Sequence, residues 1–242
     1  MKFHETTFDE YINNTRNIDL HPELREFEES IPNKPINFKN MIIYGPSGVG
    51  KYTQMLRFIK KYSPSELKYD KKMGLQADKY EYSYRISDIH YEIDMSLLGC
   101  NSKSVWHDVY MQIVDIVSLK PGKFGIIVCK NFHAIHSELL ENFYSYIQQY
   151  ANELSPFQIK FIILSEHISF IPNNILHNAQ IVNIKRPSVE LYKLIGLPEN
   201  INSQYLLNLK EIPTIQSIND PSELPQEIFD NVCETLVDKI AN

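Results

Sequence analysis

The chain has 242 residues, of which 24 are basic and 30 acidic, giving a net charge of −6. This charge excludes a general attraction to nucleic acid, so any DNA contact must come from a local patch or a partner subunit. Three scattered cysteines, Cys100, Cys129 and Cys233, fit neither a disulfide framework nor a zinc site. The acids near the N-terminus are unlike a signal peptide, and no run reaches the roughly 18 apolar residues of a membrane span. We therefore expect a soluble intracellular protein.

Short apolar runs alternate with amphipathic stretches along the first 186 residues. The pattern predicts strands at residues 40–45, near 91–93, and at 125–130, 161–166 and 179–184, with helices following the first three. Strands alternating with helices predict an α/β fold with a parallel sheet flanked by helices. The charged and alternating residues 63–88 predict a peripheral hairpin insertion. The remainder, residues 187–242, has short helical stripes interrupted by prolines, which predicts a small helical domain.

The first strand leads into a phosphate-loop motif. Gly45 to Lys51 satisfies G-x-x-x-x-G-K between a buried strand and a helix, the context that the motif requires. Glycines allow successive backbone amides to face phosphate oxygens, the helix N-terminus adds partial positive charge, and the lysine reaches the outer phosphates. The alternative is a tight strand-to-helix turn with a surface lysine. The predicted nucleotide-binding residues are Gly45, Pro46, Ser47, Gly48, Val49, Gly50, Lys51, Tyr52, Thr53 and Lys130.

The groups needed for hydrolysis are absent from the expected positions. The residue after the lysine normally ligates Mg²⁺ through a hydroxyl, but here it is Tyr52, and Thr53 lies about 100° further round the helix. The strand at 125–130 is followed by Asn131 and ends in Lys130, where a metal-binding acid and a base are expected. His133 is a potential base nearby, although a packing or surface role is the more common one for such a residue. We predict no catalytic residue and no metal ligand, so Mg²⁺ is doubtful.

Four segments, in their order along the chain, resemble a small subunit of replication factor C. They are the loop, the stretch from Tyr91 to Val117, the run GIIVCKNFHAI and the run FIILSEHISF. This family consists of AAA+ clamp loaders, and one of its small subunits carries G-K-K-T in the loop. The resemblance covers residues 18 to 186 and implies a RecA-like AAA+ core over 1–186 and a helical lid over 187–242. The last helical stripe resembles the start of the family's collar. The resemblance to the family also implies ATP or ADP as cofactor. The partners that it implies are other clamp-loader subunits, a sliding clamp and primer-template DNA.

The chain departs from that family at several positions. His177, Asn178 and Ala179 stand where the family has a Ser-Arg-Cys motif with an arginine finger, and Ser165 or Glu166 replaces the sensor residue. These departures indicate a degenerate relative encoded by a large DNA virus, and we expect it in the cytoplasm or a viral factory, or else in the nucleus.

Three hypotheses follow from the motif and its departures. The first is a clamp-loader-like subunit that binds nucleotide without hydrolysing it. The second is an interaction module that no longer binds nucleotide, and the third is an active DNA-dependent ATPase. For direct DNA contact the candidates are Arg57, Lys60, Lys61, Lys71 and Lys72, with ordinary solvated surface charge as the alternative.

Overall fold

The computed structural model describes residues 7–14, 19–77, 80–151, 155–188 and 190–191. The helices of this part are α1 (Phe8–Asn14), α2 (Arg25–Ser30), α3 (Lys51–Lys60), α4 (Ser102–Leu119), α5 (Ser137–Gln149) and α6 (Asn173–Leu176). The strands are β1 (Met41–Tyr44), β2 (Lys71–Ala77), β3 (Tyr80–Ile86), β4 (His90–Asp94), β5 (Phe124–Lys130), β6 (Gln158–Ser165) and β7 (Gln180–Asn183). Within the described residues no helix is both long and apolar enough to cross a bilayer.

All seven strands belong to one sheet, in the order β2-β3-β4-β5-β6-β1-β7. The five strands from β4 to β7 in this order run parallel, while β2 and β3 form an antiparallel hairpin at one edge. The predicted α/β fold, a P-loop RecA-like parallel sheet flanked by helices, is confirmed. The predicted lid and collar helix lie outside the described residues, apart from residues 187–188 and 190–191.

Apolar side chains cover both faces of the sheet, and β6 shows how one strand serves both. Its residues Phe161 and Ile163 join the core under α4 and α5, whereas Ile162 and Leu164 join the core under α1 and α3. This division follows from the two-residue repeat of a strand. Because both faces are covered, β1, β4, β5 and β6 have near-continuous buried patterns, as expected for strands inside a parallel sheet.

The order of the strands determines where the site forms. β1 lies between β6 and β7, so the loop that follows it emerges beside the carboxyl end of β6 and near those of β5 and β4. Parallel strands place their carboxyl ends at the same edge of the sheet, where ligands of open α/β sheets bind. Polar residues at the ends of β4, β5 and β6 therefore face the loop.

Candidate functional site

The loop between β1 and α3 has backbone angles that only glycine adopts easily. Gly45, Gly48 and Gly50 have φ of 154°, 70° and 91°. A Cβ on Gly45 would lie 2.0 Å from the carbonyl oxygen of Ile184, which follows β7. The glycine at this position therefore allows the loop to pass directly against the neighbouring backbone.

The loop fits a phosphate group. In the described part of the chain, the amides of Ser47, Gly48, Val49 and Gly50 have no hydrogen-bond acceptor, although the loop is partly buried. These amides lie at the N-terminus of the ten-residue helix α3, whose dipole also favours an anion. Donors without acceptors next to a helix N-terminus are what a phosphate-binding loop requires.

The lysine of the motif is held by its own loop. Lys51 Nζ donates to the carbonyl oxygens of Gly45 and Pro46, at 2.7 and 2.6 Å. Burial lowers the pKa of Lys51, while the negative charge of Glu166 opposes that shift. The ammonium group is thus fixed beside the amides of the loop.

A cleft of about 460 Å³ opens in front of the loop. Of the ten residues predicted to bind nucleotide, seven line it: Ser47, Gly48, Gly50, Lys51, Tyr52, Thr53 and Lys130. Gly45 and Pro46 contribute through the carbonyl groups that hold Lys51, and the Val49 side chain is buried in the core. Tyr11, Arg85 and Leu164 also line the cleft and were not indicated by the sequence. The other lining residues are those that the sequence placed at the base and sensor positions, namely Asn131, His133, Ser165 and Glu166.

Tyr52 extends away from the loop towards the sheet. Its hydroxyl donates to Glu92 Oε1 at 2.6 Å, and Glu92 is buried in β4 with 3% of its surface exposed. Burial, followed by the charge of Glu92, raises the pKa of Tyr52 far above its ordinary value, so the phenol keeps its proton. Tyr11 of α1 packs edge-on against the Tyr52 ring, with centroids 4.9 Å apart. The side chain is therefore anchored at both its ring and its hydroxyl.

Glu92 is also bound by two other side chains. His90 Nε2 lies 3.2 Å from Oε1, and Lys130 Nζ lies 3.5 Å from Oε2. Burial would raise the pKa of Glu92, but the hydrogen bond from His90, the charge of Lys130 and the Tyr52 hydroxyl together lower it below its ordinary value. Glu92 is thus an ionised carboxylate. The Lys130 side chain, 30% exposed, pairs with this carboxylate and also lines the cleft.

The ends of the neighbouring strands do not form a metal site. Asn131, which has a left-handed φ of 51°, donates through Nδ2 to both oxygens of Asp94, each at 3.0 Å. His133 Nε2 is 3.8 Å from Glu166 Oε1, and the buried Ser165 hydroxyl donates to the backbone of His167. Within the described ranges no three acids, histidines or cysteines are grouped to hold a metal ion. The residues present fit a phosphate and do not fit Mg²⁺.

The basic residues considered for DNA contact are mostly engaged within the chain. Arg57 forms ion pairs with Asp19 and Glu28, at 3.1 and 2.8 Å. Lys60 pairs with Glu66, and Lys61 donates to the Ile31 carbonyl oxygen. These contacts favour the reading of ordinary surface charge for the residues of α3.

The site and its sheet define a P-loop α/β protein, and comparison with known proteins adds little to that class. No protein-family model and no curated protein matches the sequence. Among solved structures it is similar to RuvB of Thermotoga maritima, a Holliday junction branch migration motor, at 16% identity with a TM-score of 0.40, over 79% of this chain and 51% of that one. It is also similar to PCH-2 of C. elegans at 14% identity with a TM-score of 0.45, over 83% of this chain and 55% of that one. The chain thus spans about half the length of these structures.

Proposed function

We propose that this protein is an AAA+ P-loop protein that binds ATP or ADP as a structural or regulatory cofactor and does not hydrolyse it. The observation that carries the proposal is the contrast within one cleft. The loop offers unpaired amides and Lys51, while the metal position after the lysine is occupied by Tyr52, whose hydroxyl is committed to Glu92. Binding and hydrolysis need different groups, and the described site has those for binding.

Metal-independent binding is supported by the charges of the cleft. Polyphosphates normally need cations beside the outer phosphates, and a bound metal usually supplies part of that charge. Lys51, Arg85 and Lys130 line this cleft, and Glu166 is its acidic member. Two of the cations are partly neutralised, Arg85 by Asp70 and Lys130 by Glu92, so their effect on a phosphate is smaller than that of free charges. Because the three cations are balanced by Asp70, Glu92 and Glu166, an anion without a metal is favoured by the Lys51 ammonium group and the unpaired amides at the start of α3.

The larger role that we propose is that of a clamp-loader small subunit. In it the protein acts in a hetero-oligomer with other AAA+ subunits and helps to load a sliding clamp, meeting primer-template DNA through that complex. Support comes from the order of motifs along residues 18–186 and from a negative net charge, which leaves DNA contact to partners. Co-purification with AAA+ subunits or a sliding clamp would support this role. Tight binding of primed DNA by the isolated chain at physiological salt would argue against it.

Calorimetry tests the nucleotide proposal directly. ADP and ATP are titrated into the purified protein, first with Mg²⁺ and then with chelator. We expect similar affinities in both conditions, because the site lacks a metal-binding group. An affinity that collapses without the metal would show that a metal site exists. If neither nucleotide binds in either condition, the alternative applies, in which the fold serves as an interaction module without nucleotide.

A variant with the residues that a metal site requires provides a control for the same measurement. The combination of Tyr52→Thr and Lys130→Asp places a hydroxyl after the lysine and an acid at the end of β5, as a metal site requires. Binding by this variant should become dependent on Mg²⁺. A separate assay follows ATP turnover with and without primed DNA, and turnover by the wild type that disappears in Lys51→Ala would contradict the absence of hydrolysis.

A further inference from the structure

The buried carboxylate of Glu92 joins β4, β5 and α3 at the end of the cleft. His90 is on its own strand, Tyr52 reaches it from α3, and Lys130 from β5. Arg85 of β3 lies in register with Glu92 and is paired with Asp70, while Tyr11 of α1 packs on Tyr52. These are the titratable and charged groups around Glu92. Tyr52 and Lys130 connect Glu92 to the cleft, a connection that the sequence did not indicate.

The two oxygens of Glu92 have different surroundings. Oε1 accepts from the Tyr52 hydroxyl, on a half-buried side chain that also lines the cleft, and from the fully buried His90. Oε2 faces Lys130, whose side chain is 30% exposed and lines the cleft. An anionic ligand in the cleft would therefore draw on the charged Lys130, whereas the ring of Tyr52 is held by its packing against Tyr11.

The Ser87 hydroxyl fixes the orientation of the His90 ring. The Ser87 hydroxyl oxygen accepts from the amides of Ile89 and His90, at 3.1 and 2.9 Å, so its hydrogen points to His90 Nδ1 at 2.6 Å. With Nδ1 accepting, Nε2 carries the ring proton and donates it to Glu92. The donors from His90 and Tyr52 both meet Oε1, so Oε2 is the oxygen that loses its partner when Lys130 moves.

We propose that Glu92 is a positioning residue which holds Lys130 through their ion pair and takes up a proton when the Lys130 ammonium turns to a bound nucleotide phosphate. This inference rests on the proposed nucleotide binding and adds a regulation to it. A buried carboxylate that loses its cationic partner strongly favours its protonated form. One proton passes from solvent to Oε2, and no covalent bond forms or breaks. Nucleotide affinity then depends on pH although the nucleotide itself does not titrate.

Proton uptake is measurable by calorimetry. ADP is titrated with chelator present, in buffers of different ionisation enthalpy. The pH is about 7.5, where the phosphates of ADP are largely deprotonated. We expect uptake of up to about one proton and an affinity that falls by up to about tenfold for each unit that the pH rises. Wild type that binds ADP without proton uptake would overturn this inference and leave the proposed function standing. Absence of ADP binding would overturn both.

Variants identify the group that takes the proton. Glu92→Gln should bind ADP with no uptake, and Lys130→Met, a change at a partly exposed position, should bind more weakly with no uptake. Should Glu92→Gln fail to fold, Lys130→Met carries the same test. His133→Gln is the matched control, because His133 lines the same cleft and has a ring that can accept a proton. Uptake that persists in Glu92→Gln, or that disappears in His133→Gln, would show that the proton binds elsewhere.

Discussion

The two walls of the cleft differ in what they retain. The loop wall, Gly45 to Lys51, has the backbone angles, the unpaired amides and the lysine of a phosphate site. The strand wall, made by Tyr52, Glu92, Lys130 and Asn131, has a cation and an amide where metal chemistry needs acids, and its one buried carboxylate is bound by other side chains. Under the proposed function the loop wall supplies most of the groups that hold a phosphate and Lys130 adds one more, whereas hydrolysis would need acids on the strand wall. The comparison therefore teaches that binding and hydrolysis depend on different groups and can be tested separately.

The largest effect is expected on the loop wall, at Gly45. Gly45→Ala forces a Cβ to within 2.0 Å of the Ile184 carbonyl oxygen at a φ of 154°. Because the obstructing atom belongs to the backbone, we expect a loss of at least about 3 kcal/mol in the free energy of unfolding. Urea denaturation measures it. Gly74→Ala is the control, since a Cβ there meets nothing within 4 Å, and an equal loss in both variants would refute the explanation.

The next effect concerns binding rather than folding. Lys51→Ala removes the ammonium group that lies on the loop, and we expect ADP affinity to fall by at least about tenfold, as for the loss of a charge-assisted hydrogen bond. Calorimetry measures the affinity, and unfolding by urea should change little. Lys60→Ala is the matched control on the same helix, because Lys60 pairs with the exposed Glu66 and lies outside the cleft. Equal ADP affinities of Lys51→Ala and wild type would show that the loop wall does not bind the nucleotide.

Much of the loop wall could be predicted from the sequence, and little of the strand wall. The motif is continuous, so Gly45 to Lys51 and its position between a strand and a helix follow from neighbouring residues. The strands themselves follow from apolar runs, which is why the fold class was predictable. Lys130 could be placed near the loop because it ends a buried strand of the same sheet.

Glu92 shows why the strand wall was missed. It contacts Tyr52 across 40 positions of sequence, and the contact depends on β4 lying beside β5, with Glu92 in register with Val128. No local pattern fixes that register. A signal did exist, because His90, Glu92 and Asp94 repeat every second residue in an otherwise apolar strand, which marks one polar face. That pattern indicates a buried polar site without naming the partner.

The strand wall should control the response to acid. The pKa of Glu92 is lowered in the folded protein, so its contribution to stability is present above the pKa of the unfolded chain and is lost as pH falls through the folded value. Wild type should therefore lose stability below about pH 5 more steeply than Glu92→Gln. At neutral pH the variant should be less stable by roughly 1 to 3 kcal/mol, because Gln keeps an acceptor for Tyr52 but loses the charge. Urea denaturation at several pH values measures both, and parallel pH profiles would contradict an ionised Glu92.

The smallest effect is expected from Tyr52→Phe, which removes only the hydroxyl and leaves the ring packed against Tyr11. Glu92 then loses one of its donors but keeps His90 and Lys130, so unfolding should become easier by roughly 1 kcal/mol. Because the hydroxyl faces Glu92 and not the loop, nucleotide affinity should be as independent of Mg²⁺ as in wild type. The measurement is the same pair of titrations, with Mg²⁺ and with chelator. If the folded variant loses nucleotide binding in both conditions, the Tyr52 hydroxyl contacts the phosphate. The two walls would then both be needed for binding.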